Sequence, residues 1–173
     1  MTEEELIEVK PENMGFPRND YPGAFPSRVE DRIKRLVGSP CLHLFSGTSK
    51  IGDVRVDLER PEATCNQDVF DFIARNTAQW KWVIADPPYQ IVRANYKLKK
   101  YGARKSVGGN IAYQHIIDEF LQYHAENALW FDFVTPCPKG MYREKVWLYL
   151  PGGFSWFKPR FLTWLKRKGE HLT

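Results

Sequence analysis

The sequence predicts an α/β fold, a mostly parallel sheet with an antiparallel hairpin at its C-terminal edge. Three observations predict it. Short apolar runs alternate with segments of helical periodicity, which is the pattern of strands separated by helices. WKWVIA (80–85) reads as a buried strand and is stopped by an acid and two prolines, Asp86-Pro87-Pro88. The last part of the chain holds two further apolar runs, KVWLYL and RFLTWLKRK, on either side of Gly152-Gly153, as a hairpin would.

Taken in order, residues 1–20 are rich in Glu, Pro and Asn without periodicity and are expected to form a loose arm. FPSRVEDRIKRLVG follows, with Val29, Ile33, Leu36 and Val37 on one helical face, Ser27 as the expected N-cap and Gly38 as the stop. CLHLF (41–45) is a short buried strand running into a turn that contains glycine, and DVRVDL (53–58) alternates as a second strand. A short strand is expected around 63–65 and a short helix over NQDVFDFIARN (66–76). Residues 90–112 look irregular. Ile116, Ile117, Phe120, Leu121 and His124 recur at helical spacing over 113–125, and ALWFDFV (128–134) is the next strand.

A chain of 173 residues with 43% hydrophobic residues has the composition of one globular domain and not of a disordered segment. The expected organisation is the arm, 1–20, and a single domain, 21–173, without a separate target-recognition domain. No apolar run reaches the ~18 residues of a membrane span. The acidic start MTEEELIEVK is unlike a secretory signal, so a cytoplasmic location is expected. Cys41, Cys65 and Cys137 show no metal-binding spacing and read as reduced thiols, with no metal expected. His43 reads as a satisfied core histidine.

The net charge of +4 is unevenly placed. Arg93, Lys97, Lys99, Lys100, Arg104 and Lys105 fall between residues 90 and 110 with no acid among them, and 139–168 holds eight Lys or Arg against Glu144 alone. This pattern points to a polyanionic partner, with the six cations of the 90–110 segment as the candidate nucleic-acid contacts, set against a merely solvated surface. Trp147, Trp156, Phe157 and Trp164 are either a base-stacking platform or, by the stronger expectation, packing residues.

The strand 80–85 delivers Asp86-Pro87-Pro88-Tyr89. Two consecutive prolines fix two φ angles, restrict the residues before them and offer no N–H. The result is a rigid display of a carboxylate, a backbone carbonyl and an aromatic ring, all acceptor surfaces suited to an NH2 group. This tetrapeptide resembles the catalytic motif of the S-adenosylmethionine-dependent amino-methyltransferases, and Asp at its first position resembles the DNA adenine-N6 type. The resemblance implies a Rossmann-like class I methyltransferase sheet. It also implies that Asp86 and the Pro87 carbonyl accept hydrogen bonds from the exocyclic amine, while Tyr89 stacks on the flipped base.

The resemblance extends to the cofactor, S-adenosylmethionine. LHLFSG (42–47) is similar to the family's first cofactor motif, which implies that Phe45, Ser46 and Gly47 border the methionine moiety. Asp57 falls where the family places an acid on the ribose hydroxyls. NQDVFDF is similar to the third motif, implying Asp68 on the adenine amino group and Val69 against the ring. YPGAFP (21–26) is similar to the tenth motif and implies contacts from Phe25 and Pro26. The chain departs from the pattern in the first motif, where the second glycine is missing. Only SGTSKIG separates the first two strands, fewer than the ~10–12 residues of an ordinary parallel crossover, so either this connection is a bare loop or the second strand lies elsewhere.

The reading that follows is an adenine-N6 methyltransferase acting on DNA, with a minimal size that suits a phage or mobile element. RNA base methylation and an inactive methyltransferase-like nucleic-acid-binding subunit are the alternatives. DNA stands ahead of RNA as partner, and assembly as a homodimer or with a partner subunit is left open.

Overall fold

The computed structural model describes residues 10–18, 24–87, 111–151 and 159–169. Their strands form one sheet: β1 (Glu12–Asn13), β2 (Cys41–Leu44), β3 (Val54–Asp57), β4 (Cys65–Asn66), β5 (Trp80–Ala85), β6 (Ala125–Asp132), β7 (Met141–Leu150) and β8 (Arg160–Arg167). Three helices accompany them, α1 (Ser27–Leu36), α2 (Val69–Arg75) and α3 (Ile111–His124). The spatial order is β1-β7-β8-β6-β5-β2-β3-β4. All neighbours from β6 to β4 are parallel, and β8 alone runs antiparallel to both β6 and β7. The sheet is therefore mostly parallel, and the expected hairpin is present, attached through its second strand β8. The hairpin is not the outermost element, because β1 adds in parallel beyond β7.

The first eighteen residues thus contain more than a loose arm. Two arm residues pair with β7, and Met14 N–H donates to the Leu150 carbonyl. The same segment caps α1. A helix start leaves backbone N–H groups without intrahelical acceptors, and here Ser27 N–H donates to the Phe16 carbonyl and Arg28 N–H to that of Met14. Ser27 is consequently the first helical residue, Pro26 takes the N-cap position, and no side chain caps.

Strands covered on both faces read as continuous apolar runs. In β5, Trp82 and Ile84 join one core cluster with Val29 and Ile33 of α1, while Val83 and Ala85 join the other with Val69 of α2 and Ile117, Phe120 and Leu121 of α3. All four residues of β2 are buried. Trp164 and Trp147 serve packing, Trp164 leaning on Trp82 at 5.6 Å between centroids and Trp147 lying under the Arg32 guanidinium at 4.9 Å. Trp156 and Phe157 lie outside the described residues.

The connection between β2 and β3 is a bare loop, residues 45–53, and the two strands do pair in parallel, Leu42 with Val54 and Leu44 with Val56. The loop folds flat on the sheet: Ile51 is 6% exposed and packs in the α1-side core. Gly52 makes this approach possible. Its φ is +103°, and a Cβ there would sit 3.2 Å from the His43 Cβ and 3.3 Å from the Cys41 carbonyl oxygen.

His43 is fully buried beneath this loop and stacked on Phe25, with centroids 5.6 Å apart. Its Nδ1 donates to the Ile51 carbonyl at 3.0 Å, which fixes the tautomer, while Nε2 has no partner among the described residues. Burial lowers its pKa from 6.5 to about 4. Below 6.5 the unfolded chain takes up a proton that the folded ring refuses. This contribution to stability is therefore complete above pH 6.5 and lost as pH falls toward 4, by about 3 kcal/mol in all. Urea unfolding of His43→Asn is expected to show a flatter stability–pH slope than the native protein across that window; equal slopes would exclude the assignment.

Candidate active site

Chain direction along the sheet reverses between β2 and β5: from β2 the chain works outward through β3 and β4, and from β5 it works the other way through β6. In open α/β sheets such a reversal leaves a crevice at the carboxyl ends of the strands, where ligands bind. Most of the sequence-nominated residues that the structure describes stand on this rim. Leu44 pairs with Ala85, so Phe45-Ser46-Gly47 and Asp86-Pro87 leave adjacent strands side by side. Asp57 ends β3, and Asp68 and Val69 start α2 after β4.

The turn after β2 is conformationally unusual. Phe45 has φ +59° and Gly47 φ +54°. A non-glycine residue in that region carries strain of order 1 kcal/mol, a feature that clusters at functional sites. Phe45 packs edge-on against Phe70 at 6.1 Å, and Val69 is buried beside them, which makes an apolar wall on the β4 side of the crevice. Ser46 is 4% exposed, and its hydroxyl has no partner among the described residues, so a polar atom is buried in the turn with its hydrogen-bonding capacity unused.

Asp57 is 2% exposed and holds the turn in place. Its Oδ2 accepts from Gly47 N–H at 3.0 Å, and its Oδ1 accepts from Glu59 N–H at 3.1 Å and Arg60 N–H at 3.2 Å. Asp68 is the N-cap of α2, its Oδ1 accepting from Phe70 N–H at 2.9 Å and Asp71 N–H at 3.3 Å. Asp86 is half-buried, with Oδ1 sealed from solvent, and Pro87 is buried.

The structure separates other nominated residues from this group. Phe25 is buried on the sheet face between His43 and Phe131, stacked on one and edge-on to the other at 5.8 Å. Pro26 is the N-cap of α1. Pro88, Tyr89, Arg93, Lys97, Lys99, Lys100, Arg104 and Lys105 lie outside the described residues. The basic residues on the hairpin fall into three groups. Arg160 starts β8 at the carboxyl rim, 6% exposed, with its guanidinium 3.5 Å from the centroid of Phe133. Lys166 and Arg167 sit toward the opposite rim, because Lys166 is level with Asn127 near the start of β6, whereas Arg143 and Lys145 are level with Ala128 and Leu129 in mid-sheet.

Two rim acids escaped the sequence reading. Asp132 ends β6 at 1% exposure, accepting from its neighbour Phe133 N–H at 2.6 Å; burial raises its pKa against the opposing pull of the Phe133 and Trp130 N–H groups and Arg160. Glu59 follows β3 and is exposed, an ordinary surface acid by sequence. The position of Asp132 at the end of an apolar run, like that of Asp86, was the signal available.

Among the described residues no His, Cys, Asp or Glu side chains gather as a metal site, the three cysteines are unpaired, and no helix is long and apolar enough to cross a membrane.

Fold and rim together define a doubly wound α/β protein whose winding reverses between β2 and β5. No protein-family model matches the chain, and no curated protein matches it significantly in sequence. Among solved structures it is similar to one named "Putative methyltransferase yhhF from Escherichia coli", with 12% identity and a TM-score of 0.49 over 82% of this chain and 85% of that one.

Two substitutions test the rim. Ser46→Ala removes a buried hydroxyl that satisfies nothing, so the unfolding midpoint is expected to hold or rise, by up to about 1 kcal/mol in stability. Asp68→Ala exposes two helix N–H groups and is expected to cost about 1 kcal/mol in denaturant unfolding.

Proposed function

We propose that this protein is an S-adenosylmethionine-dependent methyltransferase that acts on the exocyclic amine of a nucleobase, adenine N6 in DNA as the first candidate. The observation that carries the reading is the position of Asp86-Pro87. This pair leaves the end of β5 directly beside the strained turn after β2, across the sheet reversal. A motif that resembles an amine-binding catalytic loop therefore adjoins a turn that resembles a cofactor loop.

The residues present fit such a cofactor. The buried Ser46 hydroxyl has no partner among the described residues and would meet a polar moiety if the turn shifts to admit it, and Phe45, Phe70 and Val69 offer an apolar wall to an aromatic ring. The cofactor supplies an electrophilic methyl group on a sulfonium. What remains for the protein is to position and polarise a weak nucleophile. The lone pair of an exocyclic amine is delocalised into its ring, and acceptors fixed before the reaction favour the pyramidal nitrogen of the transition state. Asp86 supplies a carboxylate for one N–H and Pro87 a carbonyl for the other. Their rigidity lets orientation act without reorganisation during transfer. Tyr89 is assigned to stacking on the base, and Arg93, Lys97, Lys99, Lys100, Arg104 and Lys105 to the phosphate backbone, where they contribute affinity without sequence information.

Transfer of labelled methyl groups to DNA and RNA pools tests the reading. Label is expected in DNA as N6-methyladenine, and Asp86→Ala is expected to lower the rate by about 10²–10³ or more while nucleic-acid binding persists. Label confined to RNA reassigns the substrate. Nucleic-acid binding with no transfer by the native protein would instead establish an inactive binding subunit.

A further inference from the structure

We infer that Phe25 is a positioning residue for Asp86: its ring spans from β2 to β6 across the end of β5, on the face of the sheet to which the Asp86 side chain is turned. The inference rests on the proposed function for the reaction that Asp86 serves, and on the register of the sheet for the placement.

The register fixes the face. Side chains alternate along β5, with Val83 and Ala85 in the core cluster that α2 and α3 cover, and Trp82 and Ile84 in the cluster that α1 covers. Asp86 precedes a proline, which holds it in extended geometry. The alternation therefore continues through it, and its side chain lies on the α1 face beyond Ile84. Its neighbour on β6 at that level is Phe131, because Ala85 pairs with Trp130. Phe131 belongs to the α1-side cluster as well.

Phe25 bridges this corner. It is 6% exposed, stacked on His43 at 5.6 Å and edge-on to Phe131 at 5.8 Å. His43 pairs with Ile84 across one edge of β5, and Phe131 stands level with Asp86 across the other. A ring that touches both passes over β5 between Ile84 and Asp86. One oxygen of Asp86, Oδ1, is sealed from solvent in a residue that is only half-buried. Phe25 is accordingly the wall against which the carboxylate is set.

The ring has an anchor of its own. Pro26 and Ser27 follow it into α1, where Ser27 N–H donates to the Phe16 carbonyl at 3.0 Å and Arg28 N–H to that of Met14 at 3.3 Å. In the same N-terminal segment, Arg18 donates to both oxygens of Asp31 at 2.8 Å, and Glu12 pairs with Arg32 at 2.8 Å. The start of α1 is thus tied down independently of any ligand. A fixed wall matters to an acceptor that must meet an N–H in one orientation, since a misplacement of ~1 Å costs about 10²-fold in rate. The family resemblance assigns Phe25 to the methyl donor, whereas this packing directs it to the acceptor side.

Steady-state methyl transfer by Phe25→Leu, and by Phe25→Met, which nearly keeps the volume, tests this. Val29→Ala is the control, a cavity in the same core cluster further along α1. Both Phe25 variants are expected to lower kcat by about tenfold or more. Their KM for nucleic acid, and their affinity for S-adenosylhomocysteine by titration calorimetry, are expected to stay within about twofold of native. Val29→Ala is expected to lower the unfolding midpoint at least as far and to leave kcat unchanged. The carboxyl 13C resonance of Asp86, assigned by its absence from Asp86→Asn, is expected to move in the Phe25 variants and to stay in place in Val29→Ala, because a ring current acts only at close range. Weaker S-adenosylhomocysteine binding with kcat preserved would return Phe25 to the methyl-donor site and overturn the inference. An equal loss of kcat in Val29→Ala, or an unmoved Asp86 resonance, would overturn it as well. If the native protein transfers no methyl group, the proposed function falls, and the resonance alone decides whether Phe25 packs on Asp86.

Discussion

The fold depends on β2 being buried along its whole length between two parallel neighbours. A strand in that position has both faces packed and both edges hydrogen-bonded, so it has no polar surface to offer except at its ends. The chemistry of the molecule is therefore displaced to the carboxyl rim, where the chain leaves β2, β3 and β5 within a few residues of one another. The strain at Phe45, the unused hydroxyl of Ser46 and the sealed oxygen of Asp86 all occur within two residues of a strand end.

The same constraint explains the loop that replaces a crossover helix. Parallel strands side by side must be joined by a segment that returns across one face of the sheet. Nine residues manage it here because β2 and β3 are only four residues long and the loop itself supplies core. Ile51 fills the space beside α1, Gly52 permits contact with His43, and the His43 ring donates to the Ile51 carbonyl. A helix would have brought an amphipathic face and its own backbone bonding. The loop substitutes one isoleucine, one glycine and several side-chain hydrogen bonds: His43 donates to the Ile51 carbonyl and Arg55 to that of Gly52, while Asp57 accepts from Gly47 N–H and Asp53 from Cys41 N–H.

Where local pattern decides, the sequence was legible. WKWVIA is β5 to the residue, and the helical spacing of Ile117, Phe120 and Leu121 places α3 against the sheet. What escaped was set by partners remote in sequence. The cap of α1 comes from carbonyls at 14 and 16, which no window around Ser27 contains, and a two-residue β1 has no periodicity to detect. At the rim, position was easier to read than role. Asp57 ends its strand and Asp68 starts its helix, yet each is engaged with backbone N–H groups that only the folded chain brings to it. An Asp at a strand end looks the same in sequence whether it meets a ligand or a main-chain donor.

The basic C-terminal third also has to be divided. Because β8 is antiparallel to β6, its two ends face opposite rims of the sheet. Arg160 lies at the rim of Asp86, whereas Lys166 and Arg167 lie about 20 Å away at ~3.4 Å per residue. That separation is about the width of a nucleic-acid duplex. A base held at Asp86 would therefore leave Lys166 and Arg167 at the far rim, with Arg143 and Lys145 in mid-sheet between the two rims. Two of these cations are already bound within the protein, Arg143 to the Thr135 carbonyl and Arg167 to that of Ala125, and Lys145 rests over the Trp147 ring. Counting charge along this hairpin overstates what reaches the carboxyl rim. Among the described residues of the hairpin, the cation at that rim is Arg160, which is buried over the Phe133 ring and acts on the neighbouring Asp132 as a fixed charge rather than as a flexible phosphate contact.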